Sequence, residues 1–356
     1  MALLDALTDQ AIASELFTSP RIEVDLARFL AEQSPALKAL AARAADGAFD
    51  RVYFVGGGGS LANMASGQWL MDRFGGPAAQ AFPSYELTWR DPAALGPRSL
   101  VFLASYSGAT EDTLAAMRYA NGRGAHTVAL VRRRPSPMSA EATEVIDYDS
   151  TALYDLPLAA VTVFALELAI QIGSPRTAEA GAALRDLERL PAILGEVYRE
   201  GREPALGQAR EFLSANLLYC VGAGPLAGLA YKFALTVFME NIRVHGSFIE
   251  SSELRHGPVE AFERQRPDMV FVVGTDESRE MTERAIAVSK AAGARTLVLD
   301  AATYPAVHPL LTPFLLMIPL QWFTVYSALL RGITDLDERV FMGHRVLAVG
   351  SDATWP

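Results

Sequence analysis

The sequence predicts an α/β protein built as two tandem αβα sandwich domains with parallel sheets. Short apolar strands alternate with helical stretches, each strand runs into a glycine- or serine-rich turn, and the pattern occurs twice. At 356 residues, 51% of them hydrophobic and 20% charged, the chain is too long for one ordinary core and suits two.

The expected order is a helical lead-in over 1–50, a first domain over 51–152, linker helices over 153–212, a second domain over 213–305, and a C-terminal helix and tail over 306–356. RVYFVGG is a strand entering glycines. Ser60 is expected to cap the next helix, which runs to about Phe74 and stops at Gly75 and Gly76. SLVFLAS is the next strand, followed by a helix through Tyr119 and a third strand, HTVALV. The second copy reads NLLYCVGAG, a helix to about Asn241, then DMVFVVG, a helix to about Ala292, and RTLVLD.

The two copies overlay. FVGGGGSLANMA matches YCVGAGPLAGLA, and LVFLASYSGATEDT matches MVFVVGTDESREMT. Ser60 becomes Pro225, while Ser105, Ser107 and Thr110 become Gly274, Asp276 and Arg279. Hydroxyl donors stand in the first copy; the carboxylates Asp276 and Glu277 appear in the second. An anion site therefore belongs to the first copy.

The formal net charge is -10. No basic patch marks a nucleic-acid surface, and Arg132, Arg133 and Arg134 read as a solvated loop. Cys220 is the only cysteine, which points to a core residue in a reducing, cytoplasmic setting. The N-terminus has acids and no basic region, unlike a signal peptide. LPLAAVTVFALELAIQI and PFLLMIPLQWFTVYSALL are long and apolar, but proline, glutamate or glutamine interrupts each. They read as buried or interface helices, and no membrane partner is expected.

SYSGAT follows a strand and precedes a helix. Ser105, Ser107 and Thr110 offer hydroxyls, Gly108 lets the backbone approach, and the helix start adds N–H groups. Ser60 sits at the neighbouring turn. Any one of these could simply cap a helix; four together indicate a phosphate site at the carboxyl ends of strands. Gly57, Gly59 and Ala62 also make a GxGxxA spacing, a weak dinucleotide signal. No Walker lysine motif is present.

In the second copy, Glu240 ends a helix and lies sixteen residues before His256, with Glu253 and His245 nearby. A helix end, an extended loop and a new helix starting near Pro258 can return such residues to one cleft. The helix start would favour a neutral imidazole, suited to proton transfer. A lone histidine there can equally be a cap, and a lone glutamate can be solvated. The histidines show no metal-ligand spacing, so no metal and no cofactor is expected.

The turns GGGGS and SYSGATEDT, with ELRHGP, resemble the SIS family of sugar-isomerase domains, flavodoxin-like αβα units. They are similar to the isomerase half of glucosamine-6-phosphate synthase. The resemblance implies that Ser60, Ser105, Tyr106, Ser107 and Thr110 surround a sugar phosphate, Tyr106 through its backbone. It implies Glu240 as the base moving a proton between sugar carbons and His256 as acid/base from a neighbouring subunit, hence a homodimer with a composite site. Gly58, Gly59, Glu253, His245 and Arg339 are candidate substrate contacts.

A glutaminase domain does not fit within the first fifty residues. The segment PSYELTWRDPAALGPRSL, the stretch MENIRVHGSFIESSELRHGPVE and the tail DLDERVFMG resemble fructosamine-6-phosphate deglycases more than amino-sugar deaminase/isomerases. The tail carries His344 and Arg345 where those enzymes have a lysine, which leaves the amine half of the substrate open. A phosphosugar sensor without turnover is the reading from another class.

Overall fold

The computed structural model describes residues 5–6, 8–9 and 19–336. Arg339, His344 and Arg345 lie outside the described residues. Two parallel sheets organise the chain. The first contains β1 (Arg51–Gly56), β2 (Ala78–Pro83), β3 (Ser99–Ser105), β4 (His126–Val131) and β5 (Glu144–Asp147), in the order β2-β1-β3-β4-β5. The second contains β6 (Leu217–Gly222), β7 (His245–Glu250), β8 (Asp268–Val273) and β9 (Arg295–Asp300), in the order β7-β6-β8-β9. The second order repeats the first without its last strand, as the overlay of the two copies requires.

Helices cover the sheets. They are α1 (Ile22–Ala45), α2 (Gly59–Phe74), α3 (Ser84–Arg90), α4 (Glu111–Gly122), α5 (Pro137–Glu141), α6 (Asp155–Gln171), α7 (Thr177–Glu200), α8 (Arg202–Glu211), α9 (Ala227–Lys232), α10 (Arg279–Ala291) and α11 (Thr312–Leu330). The helix α9 runs on without a break as a wider π-helix over Phe233–Ile242, a form that is rare and concentrated at functional sites.

The two long apolar stretches are core helices. α6 is buried almost all round and packs against α1, α2 and α7, so it shows no polar face. Pro309–Leu330 is long and apolar enough to cross a membrane, but 94% of its apolar window is buried inside the protein. Each fully buried large side chain, such as Phe164 or Phe314, contributes about 1.5–3 kcal/mol.

Several local expectations are corrected. Ser60 does not cap α2. Gly58 adopts φ +50 and turns the chain, the helix begins at Gly59, and Ser60 lies in its first turn with no cap bond. Two edge strands, β2 and β7, stand where the sequence shows only connecting segments. AAQAFP and HGSFIE are poor in the β-branched residues that mark strands, and sheet pairing alone makes them extended. No α-helix starts near Pro258; that segment is a 3-10 helix over Pro258–Glu263. The dipole argument for a neutral His256 therefore lapses, because so short a 3-10 turn carries little aligned dipole.

Candidate active site

In the first sheet the chain turns one way from β1 to β2 and the other from β1 through β3. The crevice of such a fold opens where the strand order reverses, at the carboxyl ends of β1 and β3. Those strands pair in register, Gly56 beside Ala104, so the turn at 57–60 and the loop at 105–110 emerge side by side. Asp112, at the start of α4, lies against Gly57.

The loop hydroxyls form a cluster. Ser105 Oγ lies 2.7 Å from Thr110 Oγ1 and 3.5 Å from Ser107 Oγ. The Gly108 N–H donates to Ser105 Oγ at 3.1 Å, and the Ala109 N–H donates to Ser107 Oγ at 3.1 Å. Gly108 takes φ +64, with Ser136 pressed against it. Thr110 is the N-cap residue of α4 but makes no side-chain cap bond, so its hydroxyl turns to the cluster. Tyr106 packs its ring on the core beneath the Arg132 guanidinium, 5.1 Å away, and its carbonyl accepts the Arg132 N–H at 3.2 Å.

The second copy has no such pocket of donors. A Cβ on Gly224 would stand 2.6 Å from Asp276 Oδ2, and one on Gly274 would stand 2.4 Å from Asp276 Oδ1. The Asp276 carboxylate thus occupies the space between the two turns. Glu277 pairs with Arg73 at 3.0 Å, and Arg279 grips Asp300 at 2.8 and 2.7 Å. A larger cavity opens nearby, against Gly224, Pro225, Ser66, Trp69 and Asp72. Its wall carries the Asp72 carboxylate.

The two repeats meet where α2 packs on α9. There the Gly58–Gly59 turn faces Lys232 and Thr236 from the second repeat. Beside it lies a small cavity lined by Lys232, Thr236, Glu240, Asn241 and Gln321. Glu240 is half-buried in its wall. Asn241 donates from Nδ2 to the Leu336 carbonyl at 2.8 Å, which holds the start of the C-terminal segment at the same cavity.

Lys232 is 4% exposed and Asp155 is 1% exposed. Burial pushes the Lys232 amine down to about 8, against the opposing pull of Glu240 and Asp155. Burial pushes the Asp155 carboxyl up to about 7, against its own backbone N–H and the Lys232 charge. The Lys232 ammonium also lies 5.6 Å from the Tyr154 ring. Sequence reading missed Lys232, Thr236, Gln321 and Asp155. For Lys232 a signal existed: a lone lysine inside the apolar run GLAYKFALTVFMEN, in a chain with three lysines and 28 arginines.

The chain does not gather all the expected residues. His256 is exposed, is absent from the cavity wall, and has Arg255 Nε 3.1 Å from its Nε2. Glu253 is exposed in the turn before it. His245 opens β7 in register with Leu217, at the sheet edge opposite the turns, because β7 carries it away from the cleft. Among the described residues no group of three or more His, Cys, Asp or Glu could hold a metal ion.

The SIS domain model matches residues 49–169. The chain is 31% identical over 336 residues to fructoselysine 6-phosphate deglycase of Escherichia coli K12, covering 94% of this chain and 97% of that one. It is 32% identical to the fructosamine deglycase of Bacillus subtilis, covering 72% and 78%. A solved Bacillus subtilis protein described as a phosphosugar isomerase superposes with TM-score 0.76 at 28% identity, covering 87% of this chain and 98% of that one. This chain belongs to the SIS-domain family, beside its fructosamine 6-phosphate deglycases.

Proposed function

We propose that the chain is a fructosamine-6-phosphate deglycase, releasing glucose 6-phosphate and a free amine. One observation carries this reading: the similarity to a deglycase runs through 94% of the chain. It takes in the hydroxyl cluster and the glutamate-lined cavity together. The phosphate sits on Ser105, Ser107, Thr110 and the Ser60 turn, where N–H groups and hydroxyls receive it. Glu240 takes a proton from sugar C1 and returns it at C2. The C1–C2 enaminol between these steps becomes an imine at C1, which water splits into the aldose phosphate and the amine. His256 assists ring opening.

The active form is a homodimer in this proposal. His256 stands away from the Glu240 cavity, and Leu235 and Met239, 42% and 36% exposed, flank Glu240 as apolar surface for a second subunit. A reducing cytoplasm suits the single buried thiol of Cys220, whose pKa burial raises.

The test is to incubate the protein with fructosamine 6-phosphates and with glucosamine 6-phosphate and follow glucose 6-phosphate and amine release. Turnover of the first class is expected. Turnover of glucosamine 6-phosphate alone identifies a deaminase, and tight binding of both without turnover identifies a sensor. Glu240→Gln is expected to abolish turnover while sugar-phosphate binding persists; unchanged turnover removes Glu240 from the mechanism.

A further inference from the structure

Lys232 is placed unlike either of the other two lysines. Lys38 and Lys290 are exposed, whereas Lys232 is 4% exposed. It belongs to the second repeat, yet a Cβ on Gly59 of the first repeat would stand 2.7 Å from its Nζ. The same side chain lines the cavity that holds Glu240. An ammonium buried at this joint lies between the phosphate turn and the residue assigned as base.

We propose that Lys232 is a positioning residue of the acid–base site, whose buried ammonium pairs with the Glu240 carboxylate and aligns it with the Gly59 turn. The inference rests on the deglycase reading for its role in turnover, but the pairing itself does not.

A buried ammonium needs a counter-charge close by, and Glu240 lines the same cavity. The groups facing Lys232 are Tyr154 and Asp155 at the start of α6, Glu240 from its own helix, and the Gly59 backbone from α2. Both carboxylates act on the Lys232 charge, Glu240 more than Asp155. A lysine suits the place better than the arginine this chain otherwise prefers. Its compact ammonium fits against Gly59, and its charge can be tuned by burial.

The charge has a pH limit. Burial brings the Lys232 amine down to about 8, so the ammonium is present below that pH and lost above it. Turnover is then expected to fall as pH rises through about 8.

Two measurements test this. The first is turnover of a fructosamine 6-phosphate. Lys232→Met is expected to lower kcat at pH 7 by about a hundredfold, the scale of a general base's contribution, with KM changed less than about threefold. Lys232→Arg is expected to recover kcat to within about tenfold and to move the alkaline limb up, because arginine stays protonated. Gly59→Ala, which pushes the ammonium aside without removing it, is expected to lower kcat in the same direction. Wild-type kcat in Lys232→Met, or an unmoved alkaline limb in active Lys232→Arg, overturns the proposal.

The second measurement needs no substrate. With 13Cε-labelled lysine the three lysines give three titrations by NMR. Lys232 is expected near pH 8, and to move down by about one pH unit in Glu240→Gln, as loss of a neighbouring anion requires. A Lys232 titration unmoved by Glu240→Gln overturns the pairing. If the wild type turns over no fructosamine 6-phosphate, the deglycase reading fails, and the NMR titration still decides the pairing.

Discussion

At the residue scale, Ser105 is the hub of the hydroxyl loop. It is buried, it accepts the Gly108 N–H, and it touches both other hydroxyls. Ser105→Ala removes the central hydroxyl and leaves the Gly108 N–H only the Ser105 carbonyl and the Thr110 hydroxyl only Ser107, at about 1 kcal/mol. KM for the sugar phosphate is expected to rise roughly ten- to a hundredfold, with a smaller rise for Ser107→Ala at the exposed rim. Asp155 supplies a prediction on stability. Its folded-state pKa, about 7, stands above the unfolded value of about 3.9. The fold therefore binds the proton more tightly, and the associated stability is present at low pH and lost as pH rises through about 7. Asp155→Asn is expected to lose less melting temperature than wild type between pH 5 and pH 8. An equal loss in both refutes the assignment. Ser105 was legible because its partners lie within five residues. Lys232 was not, since Gly59 and Asp155 reach it only through the fold.

At the element scale, β7 lies directly on the π-helix that carries Glu240. A Cβ on Gly246 would stand 2.0 Å from the Ala234 carbonyl oxygen. Backbone cannot yield as a side-chain tip can, so Gly246→Ala is expected to cost about 3 kcal/mol and to lower kcat by displacing Glu240. Gly207→Ala in α8 is the control. Nothing lies within 4 Å of its added Cβ, and it is expected to gain up to about 1 kcal/mol. Thermal melts of both variants check this. The same contact explains why HGSFIE hid from sequence reading. Its glycine speaks against a strand until the helix backbone is seen pressing on it.

At the scale of the whole molecule, the site of our proposal spans two repeats and two subunits. Co-expressed Glu240→Gln and His256→Gln subunits, each inactive as a homodimer, test this directly. A mixed dimer with composite sites carries one site with both lesions and one with neither. Random pairing then restores about a quarter of wild-type activity. A mixture that stays inactive places both residues in one subunit. The duplication also bears on why one anion site is expected per chain. Asp276 stands against Gly224 and Gly274, so the second repeat keeps the architecture and places a carboxylate between its turns.

The amino-acid sequence by itself determined the two αβα repeats, the hydroxyl loop of the first, and the loss of those hydroxyls in the second. These are properties of neighbours in the chain, set by periodicity and turn chemistry. The tertiary structure decided what stands across from the loop. It set Lys232 against Gly59, Asp155 beneath Lys232, and Glu240 in the same cavity, and it turned His245 to the far edge of its sheet. Contacts such as Gly59 with Lys232 and Asp155 with Lys232 arise from packing between segments far apart in the chain, and leave no periodic trace in either segment.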